Sequence, residues 1–376
     1  MKILFLTGSY PSINCPTPSI FTHNQAKAVQ KQGADVSVLV IDMRSIRRKR
    51  RLGFSKDVYD GITVYRMALP CGPVPILLPF LSKLCAAFAI NKIVKSYGKP
   101  DLIHAHFSDA GTWAASFKRK KGIPFILTEH GSKMLRVNRT EKTEHASKAA
   151  YRHADALIAV STALRCDLLD ITNKTIFVVP NVVPSFFCYH GTPKPDSFTY
   201  ISVGNFVPSK RFDITISAFC RINKKYPETR LKIVGDGRLK NDLLYLARSN
   251  KTEGKIEFLG VLPNTDLPVI YNSCHCFVLP SMFETFGVSY AEAIACGLPV
   301  IATKCGGPED FVNESNGLIV PTDDLDAVVS AMEHMLLNRK NYSGAGISKE
   351  ILCRLDESRI GKDLIDIYSK HAAMNN

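Results

Sequence analysis

Short apolar runs rich in β-branched residues recur along the chain, separated by stretches whose apolar positions repeat at helical spacing. In the first half these runs are Ile3–Thr7, Val36–Ile41, Ile62–Arg66, Leu102–His104, Phe125–Thr128, Ala156–Val160 and Phe177–Val179, and each reads as a strand. Phe21–Gln32 is one of the helical stretches between them, and it stops at Gly33. The rhythm restarts with strands at Phe198–Val203, Leu231–Val234, Ile256–Leu259, Cys276–Leu279 and Val300–Ala302. Helices are expected near Asp213–Lys225, Leu239–Arg248, Leu267–Asn272 and Val288–Ala295. Alternating strands and helices predict an α/β protein with doubly wound parallel sheets. The four prolines between Pro180 and Pro195 mark the expected linker between two such domains. Two domains of this kind facing each other would hold a ligand at the carboxyl ends of their strands.

The length of 376 residues suits two domains of roughly 150 residues or more. With 45% hydrophobic and 22% charged residues, the composition excludes disorder, a coiled coil and a collagen-like chain. Charge changes the picture more. The formal net charge of +14 divides into +15 on residues 1–188 and −1 on residues 189–376. One cluster, Arg44, Arg47, Arg48, Lys49, Arg50 and Arg51, follows the second strand, and Lys118, Arg119, Lys120 and Lys121 form another. The longest apolar stretch, Val74–Ile90, is broken by Pro75, Pro79 and Lys83 and is too short to span a bilayer, but it can lie on one. Arg47, Arg48, Lys49, Arg50 and Arg51 beside it suit docking on an anionic membrane surface. Nucleic acid is the rival partner, although no nucleic-acid-binding signature accompanies the clusters; a solvated surface without a partner is the plain alternative. The amino-terminal apolar run is too short for a signal-peptide core, and eleven scattered cysteines suggest reduced thiols. The expectation is a cytoplasmic protein, peripheral on the inner face of the membrane. Cys274-His275-Cys276 sits in a strand pattern and reads as core, so no metal site is expected.

The most informative stretch is Pro280-Ser281-Met282-Phe283-Glu284-Thr285-Phe286-Gly287-Val288-Ser289-Tyr290-Ala291-Glu292-Ala293. A strand ends, a loop carries Glu284 and Gly287, and a helix starts. A helix start offers unpaired N–H groups that suit a phosphate, and a glycine lets a ligand approach the backbone. Glu292 lies in the second turn of that helix, and two carboxylates suit recognition of hydroxyl groups. Taken singly, a helix-dipole role for Glu284 and a solvated Glu292 explain these residues equally well.

The spacing Glu284-x7-Glu292, followed by Ala293-Ile294-Ala295-Cys296-Gly297-Leu298-Pro299-Val300-Ile301-Ala302, resembles the donor-site signature of family 4 retaining glycosyltransferases. These enzymes have the GT-B fold. Asp101-Leu102-Ile103-His104-Ala105-His106, Leu127-Thr128-Glu129-His130-Gly131, Ala159-Val160-Ser161, Val179-Pro180-Asn181, Val203-Gly204, Ile233-Val234-Gly235-Asp236-Gly237, Phe258-Leu259-Gly260 and Gly306-Gly307-Pro308-Glu309 follow the family's order. The resemblance implies that Glu292 binds the ribose of a nucleotide sugar and Glu284 the hydroxyls of the donor sugar. Backbone at Phe286, Gly287 and Val288 would meet the sugar and diphosphate, beside Gly204. Lys210 would neutralise the leaving diphosphate, where charge grows as the glycosidic bond breaks. His130 would hydrogen-bond a sugar hydroxyl and not act as a base.

Two departures stand out. Asn205 occupies a position where the family usually has Arg, which leaves neighbouring Arg211 as a candidate cation. Ser19 stands near a glycine position of the family's first turn. The implied organisation is an acceptor-side domain over 1–183, a donor domain over 184–362, and a helix over 363–376 returning to the first domain. The expected activity is transfer of a hexosyl group from a nucleoside-diphosphate sugar, by family preference a UDP-sugar. The acceptor would be a membrane-associated glycan or lipid-linked molecule in polysaccharide or glycolipid synthesis, and no cofactor or metal is expected. A nucleotide-sugar epimerase of the same architecture and a nucleic-acid-binding protein are the alternatives.

Overall fold

The computed structural model describes residues 1–13, 15–43, 51–70, 78–252 and 254–372. The chain forms two compact units, Met1–Val182 joined by the chain from Glu357 onward, and Val183–Asp356.

The first unit contains β1 (Lys2–Thr7), α1 (Ile20–Lys31), β2 (Asp35–Asp42), β3 (Gly53–Tyr59), β4 (Ile62–Ala68), α2 (Leu78–Tyr97), β5 (Leu102–His106) and α3 (Phe107–Lys121). It continues through β6 (Phe125–Glu129), α4 (Glu141–His153), β7 (Ala156–Ala159), α5 (Thr162–Leu169) and β8 (Ile176–Val178). The sheet order is β3-β4-β2-β1-β5-β6-β7-β8, parallel except for β3, which pairs antiparallel with β4. The central strands are buried on both faces, which is why they appear in the sequence as unbroken apolar runs. Two elements were not expected. β3 is a half-exposed edge strand carrying Lys56 and Asp57, and α2 occupies much of the apolar stretch read as a surface segment.

The second unit contains β9 (Thr199–Val203), α6 (Phe212–Lys225), β10 (Arg230–Val234), α7 (Lys240–Ser249), β11 (Ile256–Gly260), α8 (Leu267–Asn272), β12 (Cys276–Val278) and α9 (Val288–Ala295). β13 (Val300–Thr303), β14 (Gly317–Val320), α10 (Leu325–Leu337) and α11 (Gly344–Leu355) complete it. Its six strands are all parallel, in the order β11-β10-β9-β12-β13-β14 of a doubly wound sheet.

The last helix, α12 (Glu357–Ala372), belongs to the first unit, so the return begins at Glu357, earlier than residue 363. Gly361 allows it: a Cβ there would lie 2.5 Å from the Ala28 carbonyl oxygen, so only glycine lets α12 cross α1 this closely. Ile360, Leu364, Ile367 and Tyr368 join the core formed by Phe5, Val29 and Val38. Residues 357–376 carry three basic and three acidic side chains, so the first unit keeps the whole basic excess. The proline-rich stretch read as a linker is packed, not loose. Val182, Val183 and Phe187 are buried, and the Asn272 side chain holds the backbone of Cys188 and His190 at 2.9 and 2.8 Å.

Candidate active site

In the second unit the strand order reverses between β9 and β12, and the loops leaving their carboxyl ends stand beside each other. β9 leads into Gly204, Asn205 and a 3-10 turn at Pro208–Lys210, while β12 leads through Ser281 and Glu284 to α9. The Met282 N–H donates to the Ser209 carbonyl at 2.8 Å and joins the two loops. Across that junction the Lys210 ammonium donates to Glu284 Oε1 at 2.5 Å, and Ser281 Oγ donates to the same oxygen at 2.8 Å. The Glu284 backbone is bracketed by Cys305 and Gly307 at 2.8 and 3.0 Å. Tyr290 donates to the Leu279 carbonyl and lies 3.4 Å from Ser281 Oγ, holding the turn from behind. Glu284 is therefore a buried carboxylate in one orientation, with an ammonium against it.

Gly287 starts α9 at φ +90, where a Cβ would lie 2.8 Å from the Tyr290 ring, so the position excludes every other residue. The first turn of α9 has no acidic residue and no side-chain cap, which leaves its leading N–H groups available to an anion. Phe286 is buried against Phe311 with ring centroids 5.1 Å apart, which turns its ring into the core, and Val288 is half-buried. One turn on, Glu292 is buried, and desolvation raises its pKa to about 8. Among the described residues, no side chain hydrogen-bonds or pairs with its carboxyl group. A buried acid without a partner is costly to a folded protein, which makes Glu292 a candidate ligand contact.

Not every expected residue joins this group. Asn205 is exposed. Arg211, in a left-handed backbone conformation at φ +49, turns its guanidinium to Asp213 and Asp323, which already satisfy it. Among the described residues, no cluster of three or more His, Cys, Asp or Glu could hold a metal ion. Within Cys274-His275-Cys276, His275 Nδ1 accepts the Thr199 N–H at 3.0 Å and both thiols are buried, so the motif is core.

The first unit presents a second group at its own reversal, between β1 and β5. His130 follows β6, and its Nε2 meets His106 Nδ1 at 3.0 Å with the rings stacked 5.2 Å apart. His104 hydrogen-bonds Thr128 at 2.7 Å and Tyr368 at 2.6 Å, which ties α12 to the cluster. Burial lowers the pKa of His104 and His130 to about 3 and that of His106 well below its ordinary value, so all three are neutral. Neither His130 Nδ1 nor His106 Nε2 has a partner among the described residues.

Glu129, whose role the sequence did not reveal, organises this loop. Its Oε1 accepts the backbone N–H groups of His130 and Gly131 at 3.0 and 2.9 Å, and its Oε2 accepts from Tyr151 at 2.9 Å. Ser19 holds φ +50, a conformation glycine adopts freely, and its hydroxyl lies 2.6 Å from Ser9 Oγ. The turn keeps the shape of a glycine turn while carrying a side chain. Arg47, Arg48, Lys49 and Arg50 lie outside the described residues, and Arg51 is exposed.

Two Rossmann-like units, with acidic and basic side chains at a sheet reversal, define the architecture of a GT-B glycosyltransferase. Residues 191–347 match the family described as Glycosyl transferases group 1, and residues 19–185 match Glycosyltransferase Family 4. An uncharacterized glycosyltransferase of Methanocaldococcus jannaschii is 34% identical over 325 residues, covering 85% of this chain and 84% of its own. The chain belongs to glycosyltransferase family 4. A putative teichuronic acid biosynthesis glycosyltransferase of Bacillus subtilis is 26% identical, with 88% of each chain covered. Among solved structures, sucrose-phosphate synthase from Thermosynechococcus elongatus superposes with a TM-score of 0.81 at 19% identity, covering 98% of both chains. Anabaena HepE in complex with UDP gives 0.76 at 19% identity, over 98% of this chain and 100% of that one.

Proposed function

We propose that this glycosyltransferase moves a hexosyl group from a UDP-sugar to a membrane-associated glycan or lipid-linked acceptor, retaining the anomeric configuration, in cell-surface polysaccharide or glycolipid synthesis. The observation that carries the donor assignment is the Lys210–Glu284 pair at the β9–β12 reversal, followed in α9 by the unpartnered carboxyl group of Glu292. Glu292 receives the vicinal hydroxyls of a ribose. The leading N–H groups of α9 receive phosphate oxygens, and Glu284 receives hydroxyls of the transferred sugar. Lys210 has three N–H donors and spends one on Glu284, so the others are free for the diphosphate as its charge grows. The reaction needs no metal in this account. Its donor nucleotide is inferred from the UDP named with the Anabaena structure.

Retention agrees with the chemistry of the first unit. A histidine with a pKa near 3 is a poor general base, so His130 offers a hydrogen bond to a donor-sugar hydroxyl and removes no proton. Family membership favours transfer over the epimerase and nucleic-acid readings. The membrane-side acceptor rests on the basic first unit and on the teichuronic acid relative, and it implies a cytoplasmic enzyme docked on an anionic inner leaflet.

Thermal unfolding in the presence of UDP, GDP and ADP tests the donor. UDP at 100 times its dissociation constant is expected to add about 2.7 kcal/mol; stabilisation by GDP or ADP with none by UDP would overturn the choice. The anomeric configuration of the product, read by NMR, tests retention, and an inverted linkage contradicts it. His106→Phe keeps the stacked ring but removes the hydrogen bond to His130. Transfer is expected to slow about tenfold, and because the buried His130 Nε2 loses its partner the variant should also lose about 1–3 kcal/mol of stability, so rates are compared well below its unfolding temperature. An unchanged rate would show that stacking alone orients His130.

A further inference from the structure

On the first unit, three large apolar side chains stand in solvent along one line. Phe80, Leu84 and Phe88 are 62%, 51% and 55% exposed and lie four residues apart, one per turn of α2. The opposite face is buried through Cys85, Ala86, Ala89, Ile90 and Ile93. Trp113 of α3 donates its indole N–H to Ser82 at 3.1 Å, which fixes that face inward. The stripe therefore cannot turn into the core. Exposed apolar residues scattered singly need no explanation, but three aligned on one helix form a patch.

The charges around the patch indicate what covers it. Residues 61–100 contain five basic side chains and no acidic one. Lys83, Lys92 and Lys95 are exposed on α2 itself. The Lys92 ammonium lies 4.5 Å from the centre of the Phe54 ring, so α2 is tied to the start of β3. Arg51, two residues before β3, ends the arginine-rich run. In sequence the run lies between Asp42, which pairs with Ala68 of β4, and Gly53, which pairs with the same Ala68. Asp42 and Ala68 lie in β2 and β4, the strands against which α2 packs. An apolar stripe bordered by uncompensated cations matches a surface that is apolar below and anionic above.

We propose that α2 is an interfacial helix that inserts Phe80, Leu84 and Phe88 into an anionic lipid bilayer, with Lys83, Lys92 and Lys95 at the headgroups. Apolar insertion and headgroup attraction supply the two signals that stable but reversible membrane attachment requires. The assignment rests on the reading that the first unit docks on a membrane, and it adds the element that enters the lipid. It also accounts for the absence of acidic residues along the whole segment.

Flotation of the full-length protein with vesicles of phosphatidylcholine containing phosphatidylglycerol tests it. The parent is expected to float, and less so with pure phosphatidylcholine or at high salt. Phe80→Ser/Leu84→Ser/Phe88→Ser should bind about 100-fold more weakly, from the loss of three apolar contacts with lipid. Emission of the single tryptophan, Trp113, reports that α2 is still packed in that variant. A folded triple variant that floats like the parent overturns the role of α2 and leaves docking intact, provided that replacing Arg47–Arg51 by Ser abolishes flotation. A parent that does not float overturns docking and this proposal together. A parent that is dimeric in solution and made monomeric by the triple variant would assign the stripe to a second copy of the chain.

Discussion

Lys210→Ala is expected to lower kcat by about 10²–10³ while changing the donor KM far less, the pattern for a group whose interaction strengthens in the transition state. The ammonium stands 2.5 Å from Glu284 and is held there by a turn whose backbone is bonded to the neighbouring loop. Its position is thus set before the diphosphate develops charge. Glu284→Ala removes the other half of the same unit and leaves Lys210 without its anchor, so the double variant should be little worse than either single one. Additive losses would mean that the two residues act separately. Steady-state kinetics with a fixed acceptor distinguishes these outcomes, and undiminished transfer by Lys210→Ala would remove the lysine from the mechanism.

Glu292→Gln is expected to do two opposite things. Burial raises the folded-state pKa of Glu292 from an ordinary 4.5 to about 8. A raised acid pKa favours the protonated form on folding. That stability is fully present below the unfolded pKa and is lost as pH rises through 8. Glutamine imitates the neutral acid, so the variant should match the parent below about pH 4 and exceed it at pH 9. The gain is on the order of 5 kcal/mol once the carboxylate is ionised, from a shift between 4.5 and about 8 at about 1.4 kcal/mol per pH unit. At the same time the variant loses the charged acceptor for two hydroxyls, and UDP affinity should fall about 10- to 100-fold. Unfolding temperatures across pH check the first effect. A variant less stable than the parent at every pH would show that Glu292 has a structural partner.

Much of this was legible in the sequence. Strands such as Phe125–Glu129 and Val300–Thr303 are buried on both faces and so stand out as apolar runs. The Glu284–Glu292 loop and helix carry their own signature. β3 was not legible because an exposed edge strand with Lys56 and Asp57 lacks both an apolar run and alternation. α2 was read as an apolar stretch because its large apolar residues lie on both its buried and its exposed faces, which blurs the helical period. Long-range partners were invisible for a different reason. Nothing near Arg211 announces Asp323, and nothing near Glu129 announces Tyr151, yet these pairings direct one guanidinium and shape the His130 loop. The glycine-like turn at Ser19 is likewise a backbone property that its residue type conceals.

Calorimetric titration of UDP into the parent and into Glu292→Gln, at pH 7 and pH 9, tests the central claim most directly. Glu292 must give up a proton to grip the ribose, so parent affinity should tighten between pH 7 and pH 9, and the variant should bind weakly with no such dependence. Equal UDP affinity in the two proteins at both pH values would contradict the assignment of the nucleotide site.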